Sequence, residues 1–267
     1  MRAGAPRVYT ARLVGQAAQY IQRDQPEGVP PLALTGERTL PDVPEENYWY
    51  RRHLAVYEWI AARCAGLDVV DMACGEGYGT DVLARTARHA TGVDANPEAF
   101  EHARARYGRP GVDFVRDLVD SHSEPCDAVV FLQTIEHVED DAGVLAHFKS
   151  MLRPGGVAYV STPNVLTLAP PGAEKSDNPW HLREYRPEQF RALCESVFDD
   201  VEILGLFHAR KLRVHEWALK AGWDSVHPRL GLTDRFYGWF TPAIAASDFA
   251  LRAGPLERAL DLVAVLR

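Results

Sequence analysis

The run Val69-Val70-Asp71-Met72-Ala73-Cys74-Gly75-Glu76-Gly77-Tyr78-Gly79-Thr80 places three alternating glycines straight after an apolar stretch of strand length. Glycines so placed let a backbone turn tightly and approach a ligand closely. Asp94 follows Gly75 by 19 residues, at the end of the next apolar run. A carboxylate there can accept both hydroxyls of a ribose. Two ligands with a ribose fit this pattern, a nicotinamide dinucleotide and S-adenosylmethionine, and charge separates them. Thr80 stands where a dinucleotide fingerprint needs its third glycine, and Glu76 would oppose a pyrophosphate. S-adenosylmethionine has no phosphate and carries a sulfonium and an ammonium, which Asp71 and Glu76 suit.

A second group follows the fourth apolar run: Gln133-Thr134-Ile135-Glu136-His137-Val138. Methyl transfer needs alignment of the reactants, exclusion of water and removal of the acceptor's proton. A histidine with an ordinary pKa near about 6.5 suits the last task. His137 is therefore the candidate general base and Glu136 its support; the plainer alternative is a histidine capping the strand beside a solvated glutamate. Further on, Ser161-Thr162-Pro163-Asn164 and Asn178-Pro179-Trp180-His181-Leu182-Arg183-Glu184-Tyr185 resemble the acceptor-side loop of methyltransferases that act on quinone precursors, sugars and natural products. That resemblance implies His181, Arg183 and Glu184 as candidates for recognising an acceptor hydroxyl or holding a metal. Glu136, His137 and His181 are also candidate ligands for Mg²⁺, which would polarise that hydroxyl and lower its pKa.

These residues need a scaffold that gathers strand ends. Apolar runs at 67–73, 91–93, 112–115, 127–132 and 156–161 alternate with helical patterns at about 79–89, 97–107, 140–152 and 186–197. Val144, Leu145, Phe148, Met151 and Leu152 share one helical face, as do Phe190, Leu193, Cys194 and Val197. The alternation predicts right-handed βαβ units, hence an α/β, Rossmann-like, doubly wound and mostly parallel sheet with helices on both faces. Runs at 201–207 and 260–266 are predicted to close it as an antiparallel pair, giving seven strands. A helix is expected at about 50–65, preceded by a Pro- and Gly-rich arm over 1–47 with at most a short helix at 15–23. Residues 208–258 are too long for a hairpin loop and read as a mostly helical insertion over the ligand-binding edge.

Composition sets the outer bounds. The chain has 267 residues, 46% hydrophobic and 25% charged, at the globular average. Its net charge of -8 disfavours a general nucleic-acid binder. Cys64, Cys74, Cys126 and Cys194 form no C-x-x-C pair and suggest no disulfide framework. No stretch approaches the roughly 18 apolar residues of a membrane span, and the first 20 residues lack the apolar core of a signal peptide. The expectation is a cytoplasmic protein whose partner is a small molecule or oligosaccharide, with neither nucleic acid nor membrane. The oligomeric state stays open, a homodimer among the options.

Over about 50–206 the chain resembles the class I S-adenosylmethionine-dependent methyltransferases. The resemblance implies that Gly75, Gly77 and Gly79 contact the amino-acid end of the cofactor and that Asp94 holds the ribose. It implies that Ala95 and Asn96 flank ribose and adenine, that Asp117, with Leu118 beside it, holds the adenine amino group, and that Gln133 faces the methionine moiety. A narrower likeness rests on Leu34-Thr35-Gly36-Glu37-Arg38-Thr39, Glu46-Asn47-Tyr48-Trp49-Tyr50-Arg51-Arg52-His53 and Gly205-Leu206-Phe207-His208. These segments are similar to actinobacterial sugar O-methyltransferases, including those of methylmannose polysaccharide synthesis. That likeness implies an arm, with Tyr48, Arg52 and His53, folding over the cofactor as a lid, and a sugar hydroxyl as acceptor. Residues 48–267 would then be one methyltransferase domain, with the cofactor core at about 50–206. The rival readings are a methyltransferase of another natural product (phenol, amine or carbon), a nicotinamide-dependent oxidoreductase, and a non-catalytic cofactor-binding protein, which would not need Glu136 and His137.

Overall fold

The apolar runs become one sheet. The computed structural model describes residues 22, 25–34, 38–170 and 172–267. Its strands are β1 (Asp68–Met72), β2 (His89–Val93), β3 (Val112–Val115), β4 (Cys126–Leu132), β5 (Leu152–Pro163), β6 (Val201–His208), β7 (Phe249–Arg252) and β8 (Asp261–Leu266). They lie in the order β3-β2-β1-β4-β5-β8-β6-β7. Strands β1 to β5 pair in parallel. β8 runs antiparallel between β5 and β6, as the two late runs predicted. The sheet has eight strands rather than seven, because Phe249–Arg252 pairs with Gly205–His208 at the edge. Four residues are too few to display an alternating pattern, so this strand was hidden in the segment assigned wholly to the insertion.

The helices are α1 (Asn47–Ala61), α2 (Tyr78–Leu83), α3 (Pro97–Tyr107), α4 (Asp141–Met151), α5 (Val165–Leu168), α6 (Pro187–Glu195), α7 (Arg210–Lys220), α8 (Trp223–Val226) and α9 (Thr233–Phe240). Helix α3 begins where expected because Pro97 is pre-set for a first turn and the Asn96 side chain accepts from the Glu98 and Ala99 amides. Helix α1 starts three residues earlier than predicted, after a short 3-10 turn at Pro44–Glu46. The buried strands separate two apolar layers. Val69 and Val130 pack with α1, α2 and the insertion, while Val70, Val129 and Phe131 pack with α4 and α6. Sheets covered on both faces show such continuous burial.

The insertion grows from the carboxyl edge, since β6 ends at His208 and α7 starts two residues later. It is fastened to α1: the Asn47 amide donates to the Thr241 carbonyl at 2.8 Å and the Ile244 carbonyl at 3.0 Å. The described part of the arm packs against α3. Leu32, Leu40 and Val43 form a small buried cluster, and the Pro30 carbonyl accepts from His102 Nδ1 on α3 at 2.6 Å. The short helix expected at 15–23, Gln22 apart, and Thr35, Gly36 and Glu37 lie outside the described residues.

Helix α1 is locked to the sheet by Arg52. Its Nε donates to Asp261 Oδ2 at 2.7 Å, its Nη2 donates to the Leu260 carbonyl at 2.8 Å and also to Asp261 Oδ1, and both side chains are buried. A forked pair of this kind is strong only while both charges remain. Arg52→Ala should therefore lower unfolding free energy by about 3–5 kcal/mol, whereas Arg52→Met combined with Asp261→Leu should cost far less. Urea unfolding followed by circular dichroism measures both.

Candidate active site

The turn after β1 is built by packing as much as by any ligand. A Cβ on Gly77, whose φ is +95°, would stand 2.7 Å from Ala103 Cβ on α3. A Cβ on Gly79 would stand 2.2 Å from the Tyr57 ring on α1. Two of the three glycines are thus required by neighbouring helices. Gly75 differs: the nearest atom to an added Cβ is Arg38 Cβ at 4.0 Å. Its amide donates to Asp94 Oδ2 at 2.8 Å, and the Asn96 amide donates to Asp94 Oδ1 at 2.9 Å. The Asp94 carboxylate is aimed by these two bonds, and each oxygen keeps a second lone pair that can accept from a hydroxyl. Ala95 is exposed beside it, and Asn96 is half-buried, its side chain spent on capping α3.

The loop acids were expected to face a cation, and the structure corrects this for both. Glu76 is buried and turned to α3 and the arm. It accepts from Arg106 Nη1 at 3.0 Å, the Tyr107 hydroxyl at 3.0 and 3.1 Å, Gln22 Nε2 at 3.3 Å and the Tyr78 amide at 3.1 Å, with His102 Nε2 at 3.0 Å. With Gly75 at the opening, Glu76 falls on the opposite side of the turn, where Arg106 balances its charge. Asp71 lies under the turn, accepting from Thr80 Oγ1 at 2.7 Å and from the Tyr57 hydroxyl at 3.2 Å. Burial pushes its carboxyl up to about 7.

The ends of β1 and β4 carry two strained neighbours, Ala73 at φ +54° and Gln133 at φ +53°. Non-glycine residues in this region cost energy and cluster at functional sites. Gln133 is held by Ser161: its amide donates to the Ser161 carbonyl at 3.0 Å and its Nε2 to Ser161 Oγ at 3.0 Å. Just beyond, Glu136 is buried and accepts from Thr162 Oγ1 at 3.0 Å. Burial raises its carboxyl to about 8, with Asp261 and Glu184 adding repulsion. Its main-chain carbonyl accepts from the Leu182 and Arg183 amides, which ties the 178–185 loop to the strand end.

That loop orients His137. The His137 Nδ1 lies 2.8 Å from the Trp180 carbonyl. A carbonyl only accepts, so Nδ1 carries a proton, and in the neutral ring the lone pair is on Nε2. The rings of His137 and His181 meet edge to face at 5.0 Å. His181 Nδ1 donates to Glu184 Oε1 at 2.7 Å and its Nε2 accepts from Asn178 Nδ2 at 2.9 Å. Glu136, His137 and His181 each offer a ligand atom within 4.8 Å of the others. Arg183 pairs with Asp141, which also accepts from the Tyr185 hydroxyl at 2.7 Å. Of the three expected acceptor contacts, Arg183 and Glu184 are engaged in holding the loop, and His181 stands beside His137.

The arm and α1 residues behave differently from the expectation. Tyr48 is wholly buried with its hydroxyl 2.8 Å from His208 Nε2, and Arg52 is committed to Asp261. Neither reaches the cofactor turn, because their positions on α1 face the sheet. His53 does approach it, its Nδ1 3.3 Å from Thr39 Oγ1, which in turn lies 3.0 Å from the Tyr78 hydroxyl. Asp117 is half-buried and accepts from the Leu118 amide at 2.8 Å, while Leu118 is exposed. Sequence reasoning missed Thr162, Asp261 and the Trp180 carbonyl as parts of the site. An acid opening an otherwise apolar strand was the available signal for Asp261; a main-chain carbonyl leaves none.

Comparison with known proteins agrees with this geometry. Residues 45–217 match the family described as a methyltransferase domain. A probable S-adenosylmethionine-dependent methyltransferase of Mycolicibacterium smegmatis is 45% identical over 185 residues, covering 68% of this chain and 71% of the relative. One from Mycobacterium tuberculosis is 42% identical over 186 residues, covering 68% and 67%. A ubiquinone biosynthesis O-methyltransferase of Xylella fastidiosa is 35% identical over 120 residues, covering 41% and 49%. In structure, a Thermotoga maritima methyltransferase described as a possible histamine N-methyltransferase superposes with a TM-score of 0.54 at 17% identity, covering 83% of this chain and 94% of its own.

The buried acids give the site a pH signature. Burial raises Glu46 and Asp71 to about 7 and Glu136 to about 8. Between their unfolded values and these, the folded state holds protons that the unfolded chain has lost, so stability falls as pH rises toward 8. His215, lowered by burial from 6.5 to about 4, acts on the other side, and stability falls as pH drops below 6.5. Thermal stability should thus peak at mildly acidic pH. Glu136→Gln keeps an acceptor for Thr162 and should flatten the alkaline decline, raising Tm at pH 8 by about 2–4 °C for each kcal/mol regained; differential scanning fluorimetry across pH reads this directly.

Proposed function

The chain belongs to the S-adenosylmethionine-dependent methyltransferases, and from that premise we propose that it methylates a hydroxyl of a saccharide with His137 as general base. The observation that carries this reading is the fixed tautomer of His137, whose Nδ1–H is spent on the Trp180 carbonyl. S-adenosylmethionine supplies a methyl group already activated on a sulfonium. Gly75 and Asp94 would hold it, with Ala95, Asn96, Asp117, Leu118 and Gln133 around it and the arm, through Thr39 and His53, as a lid. Gly75 is the turn position with open space at its Cα, and Asp94 is aimed by two amides, so the residues present fit the cofactor. The acceptor's proton passes to His137 Nε2 as its oxygen takes the methyl, and the Trp180 carbonyl stabilises the imidazolium that forms. Glu136 supports this chiefly through its carbonyl, which holds the loop bearing Trp180 and His181.

An oxygen acceptor is favoured by the O-methyltransferase activity in the name of the Xylella relative. A saccharide is favoured by the likeness of the outlying segments to sugar methyltransferases. A phenol, amine or carbon centre of another natural product is the alternative. A metal-assisted variant rests on the closeness of Glu136, His137 and His181. Two imidazoles and one carboxylate make a set that Mg²⁺, which prefers oxygen, takes reluctantly and a transition metal takes readily. Glu136 would also have to lose a proton that its burial retains. No step of the mechanism above needs the ion.

His137→Ala should keep S-adenosylhomocysteine binding while turnover falls by roughly 10²–10⁴; unchanged turnover removes His137 from the mechanism. The acceptor is tested by a screen of mono- and oligosaccharides, phenols and amines with labelled cofactor, with Mg²⁺, Mn²⁺ or chelator. Asp94→Ala should weaken S-adenosylhomocysteine binding by about tenfold or more, the effect of losing one to two hydrogen bonds to a charged group, read by isothermal titration calorimetry.

A further inference from the structure

The insertion differs from the rest of the chain in charge and in what it exposes. Residues 208–240 hold six Lys and Arg against three acids, a net +3 in a chain of net -8. Arg210, Arg213, Arg229 and Arg235 are exposed and take part in no ion pair among the described residues. Of the eight large apolar side chains that are exposed among the described residues, five lie in this segment, with Val214 at 70%, Trp217 at 69% and Trp239 at 72%.

Helix α7 arranges these residues on one face. At 100° per residue, Arg210, Arg213, Val214, Trp217 and Lys220 share one stripe, while Leu212 and His215 occupy the other and are buried. A tryptophan and a valine are thus presented to solvent between cations, and Arg235 and Trp239 repeat the pattern on α9. We propose that this face rests on an anionic lipid bilayer, with Trp217 and Trp239 in the headgroup region and the arginines on lipid phosphates. Tryptophan favours such interfaces, and basic side chains beside it add electrostatic attraction. Nucleic acid fits less well, because a long phosphate backbone would meet the field of a chain whose net charge is -8, whereas a bilayer surface need meet only this face. A second copy of this chain fits less well too, because an isologous contact would set the same arginines against each other. No described helix is long and apolar enough to cross a membrane, so the contact is with the surface. Because the insertion springs from the carboxyl edge, it would bring the reaction edge close to the bilayer.

The test is co-sedimentation of the full chain with phosphatidylcholine vesicles, with and without phosphatidylglycerol. Binding is expected only with phosphatidylglycerol and should fall as salt rises. Arg213→Glu removes one positive charge and adds a negative one, and should weaken partitioning by roughly fivefold for each of these two charge changes. The double change Trp217→Ala, Trp239→Ala should abolish it. Retained S-adenosylhomocysteine binding shows that each variant is folded, and the assay involves no methyl transfer, so its outcome is independent of the acceptor reading. Equal binding to both vesicle types, binding unaffected by either variant, or concentration-dependent dimerisation lost on Trp217→Ala without vesicle binding would each overturn the proposal.

Discussion

Much of this structure hangs on a charge pair that never meets water. Arg52 reaches from α1 to Asp261 at the first position of β8, and β8 is the strand wedged between the parallel set and the antiparallel end. One guanidinium therefore joins the helix under the cofactor turn, the seam of the sheet and, through the Leu260 carbonyl, the chain returning from the insertion. Desolvating two ions is tolerable only with full hydrogen bonding, and the fork geometry supplies it. Asp261 in turn helps to keep Glu136 protonated, so the same pair reaches into the candidate site.

A second theme is how few of the acids around the turn and the strand ends act as free negative charge. Glu76 is paired with Arg106 in a closed nest, burial pushes Asp71 up to about 7 and Glu136 up to about 8, and of Asp71, Glu76 and Asp94 only Asp94 is both aimed and half-open. The turn offers a ligand its shape and one aimed carboxylate more than a negative field. Glu76 instead acts at a distance from any ligand, drawing the arm and α3 onto the turn.

The sheet was legible because buried strands and amphipathic helices are written into local periodicity. Asp94 and His137 were legible because strand ends in such sheets are where ligands meet side chains. What escaped notice depends on tertiary geometry. Gly77 and Gly79 look like ligand-facing glycines until Ala103 and Tyr57 are seen against them. Tyr48 and Arg52 look like lid residues until α1 turns them to the sheet. The Trp180 carbonyl, which sets the tautomer of His137, has no side-chain signature at all.

The short edge strand β7 has a consequence for behaviour at high concentration. Without β7, the last turn of β6 would present an open ladder of backbone donors and acceptors, an invitation to strand addition by another molecule. β7 covers that stretch with four residues and then stops, since Gly254 and Pro255 follow two and three residues later and proline cannot extend a ladder. Arg252 closes over the Phe207 ring at 4.2 Å beside this stop. The margin of the sheet is thereby blunt and charged, a shape that resists the growth of fibrous aggregates.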